Sequence, residues 1–548
     1  MRESIDCILY RCLLKDIFSE DPPINSLISR TRRHKKMSLR ALVTTNAQSL
    51  ECNRVSRNRK SRTTARTKSN TYFSPRSVSF NTAIASSSST SSNETKTHFA
   101  ASEKYENDET LSATASIENL GKRGKIATGQ PFLDHMIDQL TAHAQIGVSV
   151  QVSKRFGTNE NVLMKSDCDE YAIDADAEST FRASGEAIGK ALRKMLSEEC
   201  GGVKEDSDDT KEKKKKKKNS RVRFVAPLDE AYASCEIERF DAERGEGELK
   251  IFEVAPYGPR NRTHIGKYPT KYTEVFFGEV AKNSGLTMTL KKHRGDNAHH
   301  IVEATFKSFA RCLRKFMDES SSSSTTTPRT TSNAIDNNNN NKRAASKARS
   351  TKETSIDVSL DLDRQISTSN NNITKGEIAT GIKTLDFLFE ALAEEAEFGE
   401  FKCVASGDVW IDDHHTTEDV AITIGQCLNE ALGNKSGCNR MGSATAIVNE
   451  SEVEVIMDLS NRPYLGYDLD FANDSIGDLS CEMIEHLFMS VTFNGQMTVH
   501  VVTKEKGNKD EDLAEAAIRA FGKCFKQCKT IDSRRAGAVA SSKGTLSV

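Results

Sequence analysis

The sequence predicts an α+β protein in which one strand–helix domain occurs twice. Blocks of similar sequence recur in the same order in two halves of the chain. Within the blocks, apolar residues are spaced three and four apart, which is typical of amphipathic helices. Between the blocks, stretches such as EVEVIMDLS and MTVHVVT alternate apolar and polar residues, as strands do. At 548 residues the chain is also too long for a single hydrophobic core.

Three pairs of helical blocks carry the repeat. The pairs are ATGQPFLDHMIDQLTAHA (127–144) with ATGIKTLDFLFEALAEEA (379–396), AIDADAESTFRASGEAIGKAL (172–192) with WIDDHHTTEDVAITIGQCLNEAL (410–432), and GDNAHHIVEATFKSFARCLRKF (295–316) with GNKDEDLAEAAIRAFGKCFKQC (507–528). A shared order over three blocks indicates a tandem duplication of one domain.

Segments of biased composition mark the predicted boundaries. From Met37 onward the leading segment is rich in Arg, Ser and Thr and nearly free of acids, which favours an organellar transit peptide. A disordered tail is the alternative. A lysine run flanked by acids predicts a solvated loop insertion, and a Ser/Thr/Asn run predicts a flexible linker. The predicted divisions are a leader at 1–100, a first copy at 101–318 with the lysine-rich insertion at 204–220, a linker at 319–348 and a second copy at 349–548.

Charge and hydropathy argue against two classes of partner. The chain has 77 Lys and Arg against 78 Asp and Glu, so its net charge gives no reason to expect a nucleic acid. It contains no run of 18 or more apolar residues, so we expect no membrane partner. The thirteen cysteines form no CxxC pair, which favours reduced thiols.

The histidines form the pattern that carries chemistry. Two adjacent pairs are each followed by a glutamate, in HHIVE (299–303) and HHTTE (414–418). On a helix the glutamate shares a face with its histidines, while adjacent histidines point about 100° apart and suit two different metals. His135 and His486 lie in amphipathic patterns and complete a set of six histidines and two glutamates. A surface His–Glu pair explains any single motif, but two motifs predict a di-metal site of Mn, Fe, Co or Zn.

These blocks resemble the imidazoleglycerol-phosphate dehydratase family of histidine biosynthesis, over residues 105–318 and 349–548. The resemblance rests on TGQPFLDHMIDQLTAH, PLDEA, GLTMTL and HHIVEATFKSFAR in the first copy, and on STKET, WIDDHHTTEDVAITIG, NRMG, LSNRPYLGYDL, IEH and SSKG in the second. It implies two tandem dehydratase domains, each an internal duplication with helices between two four-stranded sheets. It also implies a metal-dependent hydro-lyase with two Mn²⁺ per complete site, which converts imidazoleglycerol phosphate to imidazole acetol phosphate.

The resemblance assigns roles to individual residues. The implied metal ligands are His135, His299, His300, Glu303, His414, His415, Glu418 and His486. Glu353 in STKET and Glu109 in NDETL both match the family's acid–base glutamate, and the sequence leaves open which of them serves the live site. The implied substrate-binding residues, which include the phosphate cations, are Gln139, His143, Lys307, Arg440, Arg462, Ser541, Ser542 and Lys543.

The departures from the family pattern are complementary. The first copy keeps His135 and the 299–303 motif, but has Asp174-Ala175 and Glu274-Val275 at the other histidine positions. The second copy keeps the 414–418 motif, His486 and the arginines, but has Phe387 and Glu511-Asp512 elsewhere. We hypothesise that each copy kept one face of a shared site, so that each chain supplies one live site and one dead site. A catalytically inactive assembly or metal-binding subunit is the alternative.

The resemblance also implies an assembly, a substrate and a cellular location for the protein. The family assembles as a shell of 24 domains, so twelve fused chains would fill the same lattice as a large homo-oligomer. The expected partner at the site is a small phosphate-bearing substrate. Together with the leader, the resemblance predicts a location in the plastid (chloroplast) stroma.

Overall fold

The computed structural model describes residues 103–108, 111–119, 124–156, 160–163, 177–200, 221–240, 247–321, 343–363, 376–535 and 537–546. The predicted leader at 1–100 and lysine-rich insertion at 204–220 lie outside these residues. Within them, each half of the chain forms two main β-sheets that are packed with helices, and a small two-stranded sheet. No helix in the described ranges has the length and apolar character needed to cross a membrane.

The first half runs from β1 to α4. Its strands are β1 Glu103–Asp108, β2 Leu111–Asn119, β3 Ile126–Ala127, β4 Ile146–Phe156, β5 Glu160–Leu163, β6 Val222–Leu228, β7 Ala231–Phe240, β8 Glu248–Glu253, β9 His264–Ile265, β10 Tyr268–Pro269 and β11 Leu286–Arg294. Its helices are α1 Pro131–Ala144, α2 Ala177–Cys200, α3 Tyr272–Ser284 and α4 Ala298–Ser321.

The second half repeats this series. Its strands are β12 Ala344–Ser350, β13 Thr354–Asp361, β14 Ile378–Ala379, β15 Glu400–Gly407, β16 Met441–Val448, β17 Ser451–Asp458, β18 Tyr464–Tyr467, β19 Ser475–Ile476, β20 Leu479–Ser480 and β21 Thr498–Glu505. Its helices are α5 Lys383–Ala396, α6 His414–Leu432, α7 Cys481–Asn494 and α8 Asp510–Lys529, followed by a 3₁₀ turn at Ser533–Arg535.

All four main sheets share one strand order. The orders are β1-β2-β4-β3, β6-β7-β11-β8, β12-β13-β15-β14 and β16-β17-β21-β18. In the first sheet β2 and β4 are antiparallel, whereas β3 and β4 are parallel. A parallel pair needs a crossover connection, and α1 supplies it. Each half is therefore itself built from two copies of a smaller strand–helix unit.

The first helix illustrates why these segments are helical. Helix α1 begins at Pro131, whose fixed φ suits the first helical position, and ends before Gln145 in the left-handed region at φ 56°. Leu133, Met136, Ile137 and Leu140 recur at helical spacing and are fully buried. The opposite face of the helix carries polar residues, among them the half-buried His135.

The helices of each half pack against its sheets and against one another. Helix α2 packs against β1 and β2 and also against α3, while α4 packs against β6 and β7 and also against α1. In the second half α6 packs on β12, β13 and α7, and α8 packs on β16, β17 and α5. Each half consequently has its own apolar core.

The two halves meet through their second sheets. Strand β6 packs against β16, β17 and β21. Val225, Tyr232 and Ile456 form a buried apolar cluster across this contact. Arg223 bonds Glu454 at the same contact, where the glutamate is almost fully buried. This contact brings residues from both halves to one site.

Two features differ from the sequence-based expectation. The first sheet has a fifth strand, because β5 pairs with β4 beyond the point where the two-residue strand β3 ends. The linker predicted at 319–348 is shorter at both ends, since α4 continues to Ser321 and β12 begins at Ala344. The segment AASKARS has no strand-like pattern, and its backbone pairing with β13 makes it a strand.

Candidate metal centre and anion pocket

The residues predicted as ligands in the first copy meet where α1 faces the N-terminus of α4. We name His135, His299, His300 and Glu303 the first half-site. One ligand atom each from His135, His299 and Glu303 lie within 4.8 Å of one another. Glu303 Oε2 lies 3.0 Å from His299 Nε2 and 3.7 Å from His135 Nε2. Such a trio of imidazole and carboxylate donors fits a divalent cation of the Mn–Zn series.

Glu303 is held in its ionised form. Burial by itself would raise its pKa, but the Lys307 ammonium and hydrogen bonds with His135 and His299 lower that pKa well below its usual range. Lys307 Nζ lies 2.7 Å from Glu303 Oε1. Glu303 Oε2, which faces His135 and His299, therefore carries negative charge that can bind a metal.

His300 is oriented by a carboxylate outside the helix. Its Nδ1 lies 2.7 Å from Glu230 Oε2, in the turn between β6 and β7. This bond raises the pKa of His300. A carboxylate on one ring nitrogen fixes the ring and leaves the other nitrogen for a metal. The sequence-based assignment had quoted PLDEA as a motif and had given Glu230 no role.

The second copy's ligands form a second cluster. We name His414, His415, Glu418 and His486 the second half-site; the first three lie at the start of α6 and His486 lies in α7. The rings of His414 and His486 are 5.1 Å apart between centroids. His414 Nε2 lies 3.8 Å from Glu418 Oε2. His486 Nδ1 is buried without a hydrogen-bond partner among the described residues.

The second half-site has its own orienting carboxylate. His415 Nδ1 lies 3.1 Å from Asp408 Oδ2, and Asp408 is 5% exposed. The side chain of Glu353 also reaches this ring, with Oε2 3.9 Å from His415 Nδ1. Glu353 thus lies at the second half-site, whereas Glu109 lies outside the described residues. Asp408 was not assigned from sequence, although it stands only six residues before His414.

The arginines of the second copy approach the first half-site instead. Arg462 Nε lies 2.7 Å from Asp229 Oδ1, and Asp229 Oδ2 lies 4.0 Å from His300 Nε2. Arg440 contributes a positive charge that is felt by the buried Lys307, whose pKa is lowered by burial and by that arginine. Contact between the two halves therefore produces a cationic pocket beside the first half-site.

Arg440 is held in an unusual conformation. Its backbone φ is 74°, in a region that residues other than glycine rarely adopt. Its guanidinium forms a bidentate pair with the fully buried Asp458, at 2.6 and 2.7 Å, and donates to the Ala540 carbonyl at 2.7 Å. The paired interactions outweigh the backbone strain and fix the pocket wall.

The C-terminal segment closes over the same pocket. Gln139 Nε2 in α1 donates to Ser542 Oγ at 2.9 Å, across the two halves. Ser541 bonds the backbone amide of the exposed Lys543. His143 is fully buried, and its ring nitrogens have no hydrogen-bond partner among the described residues. Burial, followed by the charges of Arg311 and Lys307, lowers the pKa of His143 well below its ordinary value.

The two half-sites do not meet within one chain. No hydrogen bond, ion pair or ring contact joins them among the residues that the structure describes. The partition expected from sequence grouped the arginines with the second copy's histidines. Arg440 and Arg462 instead lie against the first copy, because the sheet-to-sheet contact carries the start of β16 and the loop after β17 to that side.

These features define a protein with a cluster of histidine and carboxylate side chains that could hold a metal ion, beside a group of cationic side chains, carried on a duplicated strand–helix unit. The profile of the imidazoleglycerol-phosphate dehydratase family matches residues 128–313 and again 380–525. The chain therefore belongs to the imidazoleglycerol-phosphate dehydratase family, and its tandem arrangement is confirmed.

Individual relatives agree with this assignment. The chain is 38% identical over 199 residues to imidazoleglycerol-phosphate dehydratase 1, chloroplastic, of Arabidopsis thaliana, which covers 36% of this chain and 70% of the relative. It is 37% identical over 198 residues to the Prochlorococcus marinus imidazoleglycerol-phosphate dehydratase, covering 36% of this chain and 90% of the relative. The crystal structure of the Staphylococcus aureus enzyme aligns with 25% identity and a TM-score of 0.30, over 34% of this chain and 99% of that one.

Proposed function

We propose that the chain is an active imidazoleglycerol-phosphate dehydratase of histidine biosynthesis. The observation that carries the proposal is the trio His135, His299 and Glu303 beside a cationic pocket that the other half supplies. A metal centre next to an anion pocket suits a substrate with an imidazole at one end and a phosphate at the other. The reaction removes water from imidazoleglycerol phosphate and yields imidazole acetol phosphate.

We assign the metal ligands as the eight residues of the two half-sites, with two Mn²⁺ per complete site. The donor set supports this assignment, because imidazole and carboxylate without thiolate suit Mn²⁺. Glu230 and Asp408 each hold the Nδ1 of a paired histidine, which leaves Nε2 as the ligand atom. When bound, the metals supply Lewis-acid polarisation of the imidazole ring.

We assign the proton transfer to Glu353. Dehydration requires an acid that helps hydroxide to leave from the carbon beside the ring and a base that takes a proton from the next carbon, so that the resulting enol becomes the ketone of imidazole acetol phosphate. The Glu353 side chain is 53% exposed and lies within 3.9 Å of His415, so it can reach a substrate bound at that metal face. Glu109 keeps the matching position in the first copy as the alternative.

We assign phosphate binding to the cationic pocket. Arg440 and Arg462 provide planar donors, Lys307 and Lys543 provide ammonium groups, and Ser541 and Ser542 provide hydroxyls. Gln139 and His143 form the α1 wall of this pocket. Arg462 is paired with Asp229, and we expect a bound phosphate to replace that partner.

We propose that the complete site forms between chains. The first half-site contains the anion pocket, and the second contains Glu353, yet the two are not joined in one chain. Docking the second half-site of one chain on the first half-site of a neighbour would unite three histidines and one glutamate per metal. Closed assembly of this kind suits a homo-oligomer, with twelve chains forming a shell of 24 domains. A chloroplast location is proposed from the names of the Arabidopsis and Pisum sativum relatives.

Metal content measured together with activity tests this function. We expect about two Mn²⁺ per chain by plasma mass spectrometry, because each histidine position is kept in only one copy. We also expect formation of imidazole acetol phosphate, which is lost on chelation and restored by Mn²⁺. Metal binding without turnover would favour an inactive metal-binding subunit, and about four metals per chain would contradict the split site.

A further inference from the structure

The degenerate counterpart of the second half-site contains an ion pair that the live site lacks. Glu178 in α2 corresponds to Glu418, but the two histidine positions before it hold Asp174 and Ala175. Glu178 Oε1 accepts hydrogen bonds from Arg182 Nε at 3.1 Å and Nη2 at 2.8 Å. The live copy has Ile422 four residues after its glutamate, so this pair is particular to the degenerate copy.

Arg182 also connects two helices. Its Nη1 donates to Glu279 Oε1 in α3 at 2.9 Å. The equivalent helices of the second half, α6 and α7, face each other through the rings of His414 and His486. Two imidazoles offer little attraction unless a cation lies between them. One guanidinium that bridges two carboxylates holds α2 and α3 together without any added ion.

The other degenerate half-site has a related arrangement, although its live counterpart also has a cation at this position, Lys307 beside Glu303. Glu515 in α8 corresponds to Glu303, and its Oε1 accepts from Arg519 Nε at 2.7 Å. Arg519 Nη1 also donates to Glu395 at 3.1 Å and Glu394 at 3.3 Å, both in α5. The retained glutamate is thus paired with an arginine that crosses to the neighbouring helix in both degenerate copies.

We infer that Arg182 replaces the metal ion as the cation of the degenerate half-site between α2 and α3. The inference rests on the proposed metal function of the live half-sites. It makes the chain asymmetric in its response to metal. The histidine faces of α6 and α7 gain a bridging cation only when metal binds, in addition to the hydrogen bonds that Ser480 donates to Asp413 between their N-terminal ends, whereas α2 and α3 are held by a permanent charge.

Hydrogen–deuterium exchange on the full chain, with Mn²⁺ and after chelation, tests this inference. We expect Mn²⁺ to slow exchange at the first turns of α6 and α7 and to leave α2 and α3 unchanged. Arg182→Ala should raise exchange at the start of α2 and in α3 roughly fivefold, with or without Mn²⁺. Arg182→Lys keeps one charge without the fork and should give a smaller rise. Metal content per chain should stay the same in both variants.

The matched control is Lys190→Ala, which removes another pair of residues four apart on the same helix, to Glu186 at 3.0 Å. If Arg182→Ala has no more effect on α3 than this control, the inference is wrong. Protection of α2 and α3 by Mn²⁺ would overturn it as well. If Mn²⁺ protects neither helix pair, the proposed metal function fails, while the effect of Arg182→Ala still reports the ion pair separately.

Discussion

The two half-sites differ in how far a single chain completes them. The first lies beside second-copy arginines, and its glutamate is the more buried: the Glu303 side chain is 11% exposed, whereas that of Glu418 is 32% exposed. The second borders an exposed apolar loop in which Trp410 is 81% exposed and Ile411 is 64% exposed. Exposed apolar side chains beside a cluster of candidate ligands are typical of a surface that can bind a neighbouring protein. The comparison teaches that the contact between the halves shapes the surroundings of the first half-site.

The strongest test of this comparison is to disable each half-site separately. We expect His135→Ala and His414→Ala each to lower kcat by on the order of 10³-fold, because each removes a ligand of the same composite site. Assemblies formed from an equal mixture of the two variants should regain about a quarter of the activity, since random pairing reunites two intact half-sites that often. No regain would mean that both half-sites come from one chain. His264→Ala, at an exposed position in the two-residue strand β9, is the control.

Removing the phosphate-binding charge should have the next largest effect. Arg462→Ala should lower kcat/KM by about 100-fold, because a charge-assisted contact is worth about 3 kcal/mol. Arg462→Lys should recover part of the loss. The control is a substrate analogue without phosphate, for which the variant and the parent should behave alike. An equal loss with that analogue would show that Arg462 acts on the metal side through Asp229.

The orienting carboxylates offer a milder comparison of the half-sites. Glu230→Gln and Asp408→Asn should each weaken Mn²⁺ binding by about 10-fold, because each leaves a ligand ring less fixed. Titration of chelated protein with Mn²⁺ provides the measurement. If the first half-site is pre-formed in the single chain, Glu230→Gln should weaken Mn²⁺ binding at any protein concentration. Asp408→Asn should weaken Mn²⁺ binding only at concentrations at which chains assemble.

The smallest expected effect concerns the contact between halves. His500 Nε2 lies 2.9 Å from the Asp229 carbonyl oxygen, and burial and then Arg294 lower the pKa of His500 to about 3. The folded protein therefore binds fewer protons here than the unfolded chain, so this stability is complete above pH 6.5 and declines as the pH falls below it. Between pH 7 and 5.5 we expect a loss of about 1 kcal/mol in denaturant unfolding. His500→Gln should flatten that slope, and an unchanged slope would contradict the assignment.

Some features of the site were predictable from sequence because they are local. The 299–303 and 414–418 motifs lie on helices as expected, since helical spacing alone brings a glutamate to its histidines. The role of Glu230 was not predictable, because it comes from a turn 70 residues away from His300. The positions of Arg440 and Arg462 were also missed, since they depend on how two sheets pack.

The sequence by itself determined the duplication, the helical ligand pairs and the family, because repeats and spacings of a few residues are written in the chain. The tertiary structure alone decided that Arg462 lies beside the first half-site and that the described residues of the second half-site make no contact with the first. Those facts depend on contacts between residues more than 200 positions apart, such as Arg462 with Asp229. Only packing of the two halves, through burial of surfaces such as that around Val225 and Ile456, fixes such contacts.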